Sequence, residues 1–402
     1  MHRFFAVITL LVMGGLGSLD AATVLVLPFF NHSKLEGIDW IGESISEAVH
    51  DSLSSEGLLV VDREDRLEAY RRLSLRPGAE LTRASIIKIG QTLDADSIVF
   101  GSYELLSPSS FKSDSGKDDS KGTLRIAARL IDLKRLAAGS EFSELGAIED
   151  LTALENHLSW QTLGFVDEKT KPNEQEFLRK RPVVRLDAVE SYVRGLLAQN
   201  PDERHRYFMK AARLDEHYSQ PCFQLGKAAW TMRDYRATAN WLARVNHSDP
   251  HYFEAQFFLG LCRYNLRDFP GAEQAFQVVA AAVPLNEVYN DLAAAQSRQG
   301  NFPAAAANFR KALEGDSSDP DYYFNLGYVL WRSGKVFEAV ASFRATLERN
   351  PHDAEATTLL GRALKDDGPK PGDTRAEARE RLKTSYEENA YKQLQAELHS
   401  RK

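Results

Sequence analysis

The chain has 402 residues, and Asp and Glu outnumber Lys and Arg, which gives a formal net charge of −7. This length is sufficient for two or three units with separate cores. The acidic balance and the lack of a basic stripe with interleaved aromatics argue against nucleic acid as a partner. The two cysteines, Cys222 and Cys262, are too few for a disulfide framework, and we expect both to be small, half-buried side chains.

The first 22 residues have the pattern of a cleaved secretory signal peptide. Arg3 precedes an apolar run from Phe4 to Leu19, and two small residues, Ala21 and Ala22, follow it. The run is short and interrupted by glycines, so an uncleaved membrane anchor is the less favoured alternative. There is no cysteine nearby for lipid attachment, and no later run approaches the roughly 20 apolar residues of a membrane span. We therefore expect an exported chain with no stable membrane span after cleavage.

Residues 23–166 predict a small α/β domain with a mixed sheet. Thr82 is a predicted N-cap, and the polar residues 107–122 predict a solvated loop. The predicted elements, in chain order, are a strand at 23–30, a helix at 40–53, a strand at 58–61, helices at 63–73 and 84–93, a strand at 96–106, a hairpin of 124–133 with 142–147, and a helix at 151–163.

Several short motifs of this domain resemble the CsgG-like and TolB amino-terminal domains of bacterial envelope proteins. They are Pro28-Phe29 after the first strand, Leu93-Asp94-Ala95-Asp96 before the central strand, and Gly101-Ser102 within it. The resemblance implies assembly or interaction work in the cell envelope without a catalytic site. The signal peptide makes the periplasm the expected location, and oligomerisation through this domain is left open. The chain lacks the lipid-anchor cysteine and a membrane hairpin of the secretion channels, so we do not expect a channel.

Residues 167–187 are charged and contain two prolines, Pro172 and Pro182, which predicts a linker with one or two helical turns at 174–181. Residues 188–365 then contain about five to six copies of one helical hairpin. A large residue followed by a small one recurs every 33 or 34 residues, as Leu225-Gly226, Leu259-Gly260, Leu292-Ala293, Leu326-Gly327 and Leu360-Gly361. Self-similarity at this period predicts stacked units that share a continuous core.

Further columns of the repeat support this prediction. A small residue follows twelve positions later at Thr238, Ala272, Ala305 and Ala339, and a large one at Leu242, Phe276, Phe309 and Phe343. Together with prolines between units, these columns resemble the tetratricopeptide repeat (TPR). The predicted fold class is thus an α/β domain followed by an all-α TPR solenoid. Residues 366–402 predict a polar terminal cap, with a charged helix from 374 to 398.

The first helix of each such hairpin lines the concave side, where a partner peptide would bind. Positions three before, one after and four after the small residue face this groove, and in the middle unit they are Asn290, Ala294 and Ser297. Aromatic anchors would take apolar side chains, and the cations would take a carboxylate. Alternatively, the rings pack between hairpins and never touch a partner. The binding candidates are Phe223, Trp230, Phe257, Tyr264, Phe324, Tyr328, Trp331, Arg332, Arg362 and Lys365.

Sequence motifs for catalysis, metal or cofactor binding are absent. There is no Gly-x-Ser-x-Gly, His-Glu-x-x-His or phosphate-loop motif. His247 and His251 are four apart but flank Pro250, which breaks the geometry of a helical metal pair. We therefore predict an exported, non-enzymatic scaffold that binds a protein or peptide and needs no cofactor. The alternative is an oligomeric structural accessory of an envelope assembly or secretion machine.

Overall fold

The computed structural model describes residues 22–33, 35–106, 122–135, 137–167, 171–365, 368 and 379–400. The predicted signal peptide and most of the predicted polar loop lie outside these residues. The first part of the chain contains β1 (Thr23–Val26), β2 (Phe30–Asn31), α1 (Trp40–Ser55), β3 (Leu59–Val60), α2 (Arg63–Arg72), α3 (Arg83–Thr92), β4 (Ser97–Leu106), β5 (Thr123–Asp132), β6 (Ala137–Ala147) and α4 (Leu151–Val166).

The six strands form one mixed sheet, in which five follow the order β3-β1-β4-β5-β6 and β2 pairs with β4 outside this order. β1 pairs in parallel with β3 and β4, whereas β4, β5 and β6 are antiparallel neighbours. The predicted first strand is interrupted, because Pro28 has no N–H and the Phe29 N–H donates to the carbonyl of Gly42 in α1 at 3.0 Å. The chain then returns to the sheet as β2, which pairs with the far half of β4.

Helices cover both faces of this sheet. Successive side chains of β1 point to opposite faces, and they are apolar on both, so both faces need to be covered. Val24 and Val26 belong to the core beneath α1 and α4, while Leu25 and Leu27 pack with α2 and α3 on the other face. Gly101 lets β4 and β5 approach each other closely, since a Cβ at this position would lie 2.1 Å from the carbonyl oxygen of Ala127 in β5. The mixed α/β fold predicted for this region is confirmed, and Thr82 accepts a hydrogen bond from the Ser85 N–H as the predicted cap.

The segment predicted as a linker is packed against the α/β domain. It contains α5 (Glu174–Arg179), whose Phe177 is fully buried. Arg181 follows this helix, and its guanidinium donates to the Ser52 carbonyl at 3.2 Å and to Glu56 Oε1 at 2.9 Å at the end of α1. One hydrophobic cluster extends from Val24 in the sheet to Ala275 in the repeats, so the two regions share a core.

The remaining helices form antiparallel pairs stacked in chain order. They are α6 (Leu186–Leu197), α7 (Pro201–Leu214), α8 (Gln220–Thr231), α9 (Tyr235–Leu242), α10 (Tyr252–Asn265), α11 (Phe269–Ala282), α12 (Asn286–Arg298), α13 (Phe302–Gly315), α14 (Pro320–Arg332), α15 (Val336–Arg349) and α16 (Ala354–Leu364). In four pairs the turn holds one residue at positive φ, namely Arg233, Arg267, Gly300 and Gly334. This left-handed residue ends the first helix of each pair.

The repeat columns pack as their residue types predict. The large-residue column is buried at Phe276, Phe309 and Phe343. A Cβ at Gly260 would lie 2.6 Å from the ring of Phe276, so the small residue lets the two helices of that hairpin approach each other. Both cysteines are free, as expected, but they are fully buried rather than half-buried.

The end of the chain departs from the prediction. Residues 379–387 form neither helix nor strand, and the last helix is α17 (Glu388–Ser400). The high content of Arg, Glu and Lys favours a helix locally, but here these side chains bond to residues of the repeats, namely Tyr264, Asp353 and Asp319. This segment therefore lies along the concave side instead of extending the stack as a capping helix, and α17 contacts β3 of the α/β domain. Within the described residues, every helix is too short or too polar to cross a bilayer.

Candidate functional site: the occupied concave groove

The groove is defined here as the concave surface of α10, α12, α14 and α16, and the tail as residues 379–391. Two groove asparagines bind the tail main chain. Asn325 Oδ1 accepts the Arg381 N–H at 2.8 Å, and Asn325 Nδ2 donates to the Arg381 carbonyl at 2.9 Å. Asn290 Nδ2 donates to the same carbonyl at 2.8 Å, and its Oδ1 accepts from Asn325 at 2.8 Å. The pair thus satisfies both main-chain groups of one extended residue.

A basic pocket encloses the side chain of Glu380, which is fully buried. Its Oε2 lies 2.6 Å from Arg298 Nε and accepts from the Tyr264 hydroxyl at 2.9 Å. Its Oε1 accepts from the Ser297 hydroxyl at 2.6 Å and lies 3.7 Å from Arg332. Burial opposes the charge of Arg298, but the carboxylate beside it raises the pKa of this guanidinium above its usual range. The buried carboxylate is therefore fully paired.

An acidic cluster binds the two cations that follow. The Arg381 guanidinium donates to Asp353 Oδ2 at 2.6 Å and Oδ1 at 3.0 Å, and it lies 3.5 Å above the ring of Phe324. Lys383 Nζ lies 2.6 Å from Asp319 and 2.7 Å from Asp321. Burial opposes the charge of Lys383, but these two carboxylates raise the pKa of its ammonium above the usual range.

Apolar side chains complete the contact. Leu382 packs between the hydrophobic clusters of the two neighbouring repeats. The ring of Tyr386 lies 5.3 Å from the ring of Phe257, centroid to centroid. The Lys383 N–H donates to Asp291 Oδ1 at 2.9 Å, while Asp291 Oδ2 is buried without a hydrogen-bond partner. Burial raises the pKa of Asp291 well above its usual range, so its carboxyl favours the neutral form.

Four of the ten predicted binding residues contact the tail. Phe257 packs against Tyr386, Tyr264 and Arg332 surround Glu380, and Phe324 lies beneath Arg381. Of the predicted groove cations, Arg332 lies 3.7 Å from a carboxylate, that of Glu380 in the same protein, and the binding of a partner's carboxylate stays a prediction.

The other predicted residues contact neighbouring groups of the array. Phe223 is buried and stacks on His251, with centroids 4.2 Å apart, and Trp230 packs on Phe258. Trp331 is only 1% exposed and lies beneath Arg362, which is 4.6 Å from the ring. Tyr328 stacks on Trp331 with centroids 6.2 Å apart, and Lys365 is exposed at the end of α16.

Sequence reasoning missed most of the polar residues that bind the tail. Asn290 was placed in the groove by its column, but Asn325 lies one position off that column. A detectable signal existed for Asn290, Asp291 and Asn325, because Asn and Asp are poor helix formers and these three lie inside their helices, whereas Asp319 and Asp353 are N-caps. The missed residues are Asp291, Arg298, Asp319, Asp321, Asn325 and Asp353.

The α/β domain contains a second concave feature, a cavity of about 520 Å³ beside β2 and α2. Its charged walls are paired with one another: Glu43 Oε1 accepts from Arg63 Nε at 2.6 Å and from Arg66 at 2.5 Å. No group of His, Cys, Asp and Glu in the described part of the chain is arranged to hold a metal ion. Asp62 lies just before α2 and makes no side-chain cap bond to that helix.

Comparison with known proteins identifies the repeats. Residues 223–287, 290–354 and 330–368 match the tetratricopeptide repeat family. These segments are therefore TPR units, as the resemblance implied. A search of curated protein sequences found no match.

Solved structures with similarity have low structural agreement. MamA residues 41 to the end, from Desulfovibrio magneticus RS-1, is 23% identical with a TM-score of 0.35, over 40% of this chain and 92% of that one. YrrB, described as a TPR protein with an unusual peptide-binding site, is 17% identical with a TM-score of 0.35, over 48% and 97%. The LpoB C-terminal domain from Salmonella enterica is 15% identical with a TM-score of 0.24, over 32% and 85%. The resemblance of residues 23–166 to CsgG-like and TolB domains stays a prediction.

Proposed function

We propose that this protein is a non-enzymatic interaction scaffold whose groove binds an extended peptide segment of a partner protein, in exchange for its own tail. TPR repeats are protein-interaction modules, and the groove here already has an extended occupant. The observation that carries the proposal is the double hydrogen bond of Asn325 to the main chain of Arg381. Main-chain recognition of this kind accepts an extended peptide from another chain equally well.

The tail holds an advantage over any partner because it is part of the same chain. A tethered segment has an effective concentration in the millimolar range for a short flexible connection. A partner must therefore bind the groove more tightly than the tail does, or reach a high local concentration. The tail thus sets the minimum affinity or local concentration that a partner needs in order to bind.

An exchange experiment on the full chain tests the proposal. A protease recognition sequence is inserted between Gly368 and Arg379, the folded protein is cut, and a fluorescent peptide of residues 379–395 is added. We expect the labelled peptide to bind with saturation and to be displaced by its unlabelled form. Asn308 lies on α13 and bonds to Gln296 away from the tail, so Asn308→Ala is the control for Asn325→Ala. A cut tail that never exchanges would show that it is a fixed structural element and would contradict the proposal.

We also propose that the scaffold acts in the periplasm after export, with a cell-envelope protein as partner. This part is supported by the apolar run that follows Arg3 and the small residues at its end. Amino-terminal sequencing of the protein recovered from cells is the test. A start near residue 23 agrees with cleavage and export, and a start at Met1 in a cytoplasmic fraction contradicts them.

A further inference from the structure

The groove contacts of the tail specify more than an extended main chain. We propose, on the basis of the proposed function, that the partner segment carries an acidic residue followed by two alternating cations, in the pattern Glu-Arg-apolar-Lys. The segment is internal to the partner chain, because the bound carboxylate is a side chain and the main chain continues on both sides of it.

The alternation of an extended chain explains the pattern. Successive side chains of an extended segment point to opposite sides, so residues two apart share a side. Arg381 and Lys383 therefore both face the carboxylates of α14 and α16, and both approach Asp321, at 3.1 and 2.7 Å. Glu380 and Leu382 point the other way, toward the basic pocket and the apolar clusters.

Charge in the groove changes sign over one residue of the tail. The pocket around Glu380 presents Arg298 and Arg332, whereas the neighbouring cluster presents Asp319, Asp321 and Asp353. A shift by one residue in either direction would place a cation, Arg379 or Arg381, between the two arginines, and the shift that brings in Arg379 would also place Glu380 among the acids. Like charges brought together in a desolvated site oppose binding, so the groove selects both sequence and register.

Because the carboxylate of Glu380 is buried, the acidic residue is the position of the peptide pattern that the groove requires most strictly. Glu380 accepts hydrogen bonds from a tyrosine and a serine and pairs with two arginines, with no exposed side-chain surface. An occupant without an acid here would leave Arg298 and Arg332 without their partner beneath the peptide. A neutral or cationic side chain at this position is therefore excluded more strongly than a change at Lys383, which is one-fifth exposed.

A partner protein, rather than a second copy, is the occupant that fits these observations. The tail already reaches the groove of its own chain and continues as α17 to β3 of the same molecule. A tail from a second copy would make the same groove contacts without adding new ones.

The cut full-length protein provides the test, with competition against the labelled peptide of residues 379–395. We expect the Glu380→Gln peptide to compete ~30-fold or more weakly than the native sequence, and Glu380→Lys more weakly still. A scrambled peptide of the same composition should not compete. A Lys383→Glu peptide should bind weakly to the native groove, and Asp321→Lys in the groove should restore part of this loss.

The outcomes separate the two proposals. If the native peptide exchanges but all variants compete equally, the groove reads only the main chain and this inference is wrong, while the proposed function stands. If the native peptide does not exchange, the proposed function is contradicted, and this inference, which rests on it, is contradicted with it.

A second measurement uses the uncut chain, so that the inference is still tested if a groove variant does not fold. Glu380→Lys should release the tail and allow the labelled native peptide to bind without cleavage. Light scattering identifies the remaining occupant: a dimer that Glu380→Lys converts to monomer would assign the groove to a second copy and contradict the proposal.

Discussion

The side-chain amide of Asn325 forms two hydrogen bonds with the main chain of Arg381, one to its N–H at 2.8 Å and one from Nδ2 to its carbonyl at 2.9 Å. Asn325 belongs to α14, and 56 residues separate it from its partner in sequence. The bond pair fixes one extended residue across the concave side of the repeats. It also explains why a fully buried asparagine is found inside an apolar helix.

Loss of the Asn325 amide should loosen the tail. Asn325→Ala leaves the Arg381 N–H without its acceptor and takes one donor from its carbonyl, at a cost of about 1–3 kcal/mol in tail docking. Trypsin should then cut after Arg381 and Lys383 faster than in the native protein, as peptide mass spectrometry would show. Asn308→Ala should leave both cleavage rates unchanged. Equal rates in all three proteins would contradict the role given to this amide.

The glycine column of the repeats predicts opposite effects at two of its members. A Cβ at Gly260 would lie 2.6 Å from the ring of Phe276, whereas at Gly361 it would meet no atom within 4 Å. Gly260→Ala should therefore destabilise the protein by about 1–3 kcal/mol through overpacking. Gly361→Ala should be neutral or stabilise it by up to about 1 kcal/mol, because alanine favours the helix. Urea unfolding of both variants measures the difference, and similar effects would refute the packing described.

Trp331 should act as a core residue rather than as a binding anchor. Its side chain is 1% exposed and packs in the cluster of the last repeats, so Trp331→Ala should lower the free energy of unfolding by about 3–5 kcal/mol. Lys365→Ala, at the exposed end of α16, is the control and should change stability little. Thermal unfolding checks both. A Trp331→Ala protein with native stability and weakened peptide exchange would restore the binding role.

Protein stability should decrease as the pH rises from about 4.5 to 8. Burial raises the pKa of Glu155 from 4.5 to about 8, although the Ser44 hydroxyl donates to it at 2.6 Å. The folded state therefore holds this proton more tightly than the unfolded state does. Its contribution is complete below the unfolded pKa and is lost as the pH rises through the folded one, with a slope of up to about 1.4 kcal/mol per pH unit.

Glu155→Gln should remove this part of the pH dependence. Unfolding by urea at several pH values measures the slope, with the exposed Glu176→Gln as control. Glu47 and His50, whose pKa values are raised to about 7 and about 10, contribute with the same sign, so a smaller slope should remain. An unchanged slope in Glu155→Gln would show that this carboxyl ionises freely in the folded protein.

The repeats were predictable because their packing repeats in the sequence. The steps between Gly226, Gly260 and Ala293 fix the hairpins, and the elements of the α/β domain follow from local apolar patterns. Both depend on contacts between residues close in sequence or on strict periodicity.

The tail was not predictable in the same way. The main chain of Arg381 bonds to Asn325 and its guanidinium bonds to Asp353. These two residues lie in different repeat units, and no local sequence pattern indicates that they share a partner. Taken alone, a run of Arg, Glu and Lys favours a helix, and tertiary contacts overrode this preference. The covered groove also explains why aromatic residues placed there by the column, such as Phe324, are fully buried.

Hydrogen exchange at two main-chain amides tests the central claim most directly. The Arg381 N–H donates to Asn325 and the Lys383 N–H donates to Asp291 when the tail lies in the groove. In the intact protein we predict that both exchange about 100-fold or more slowly than in the free peptide of residues 379–395, as expected for about 3 kcal/mol of protection. Exchange of both amides at the rate of the free peptide would contradict the occupied groove.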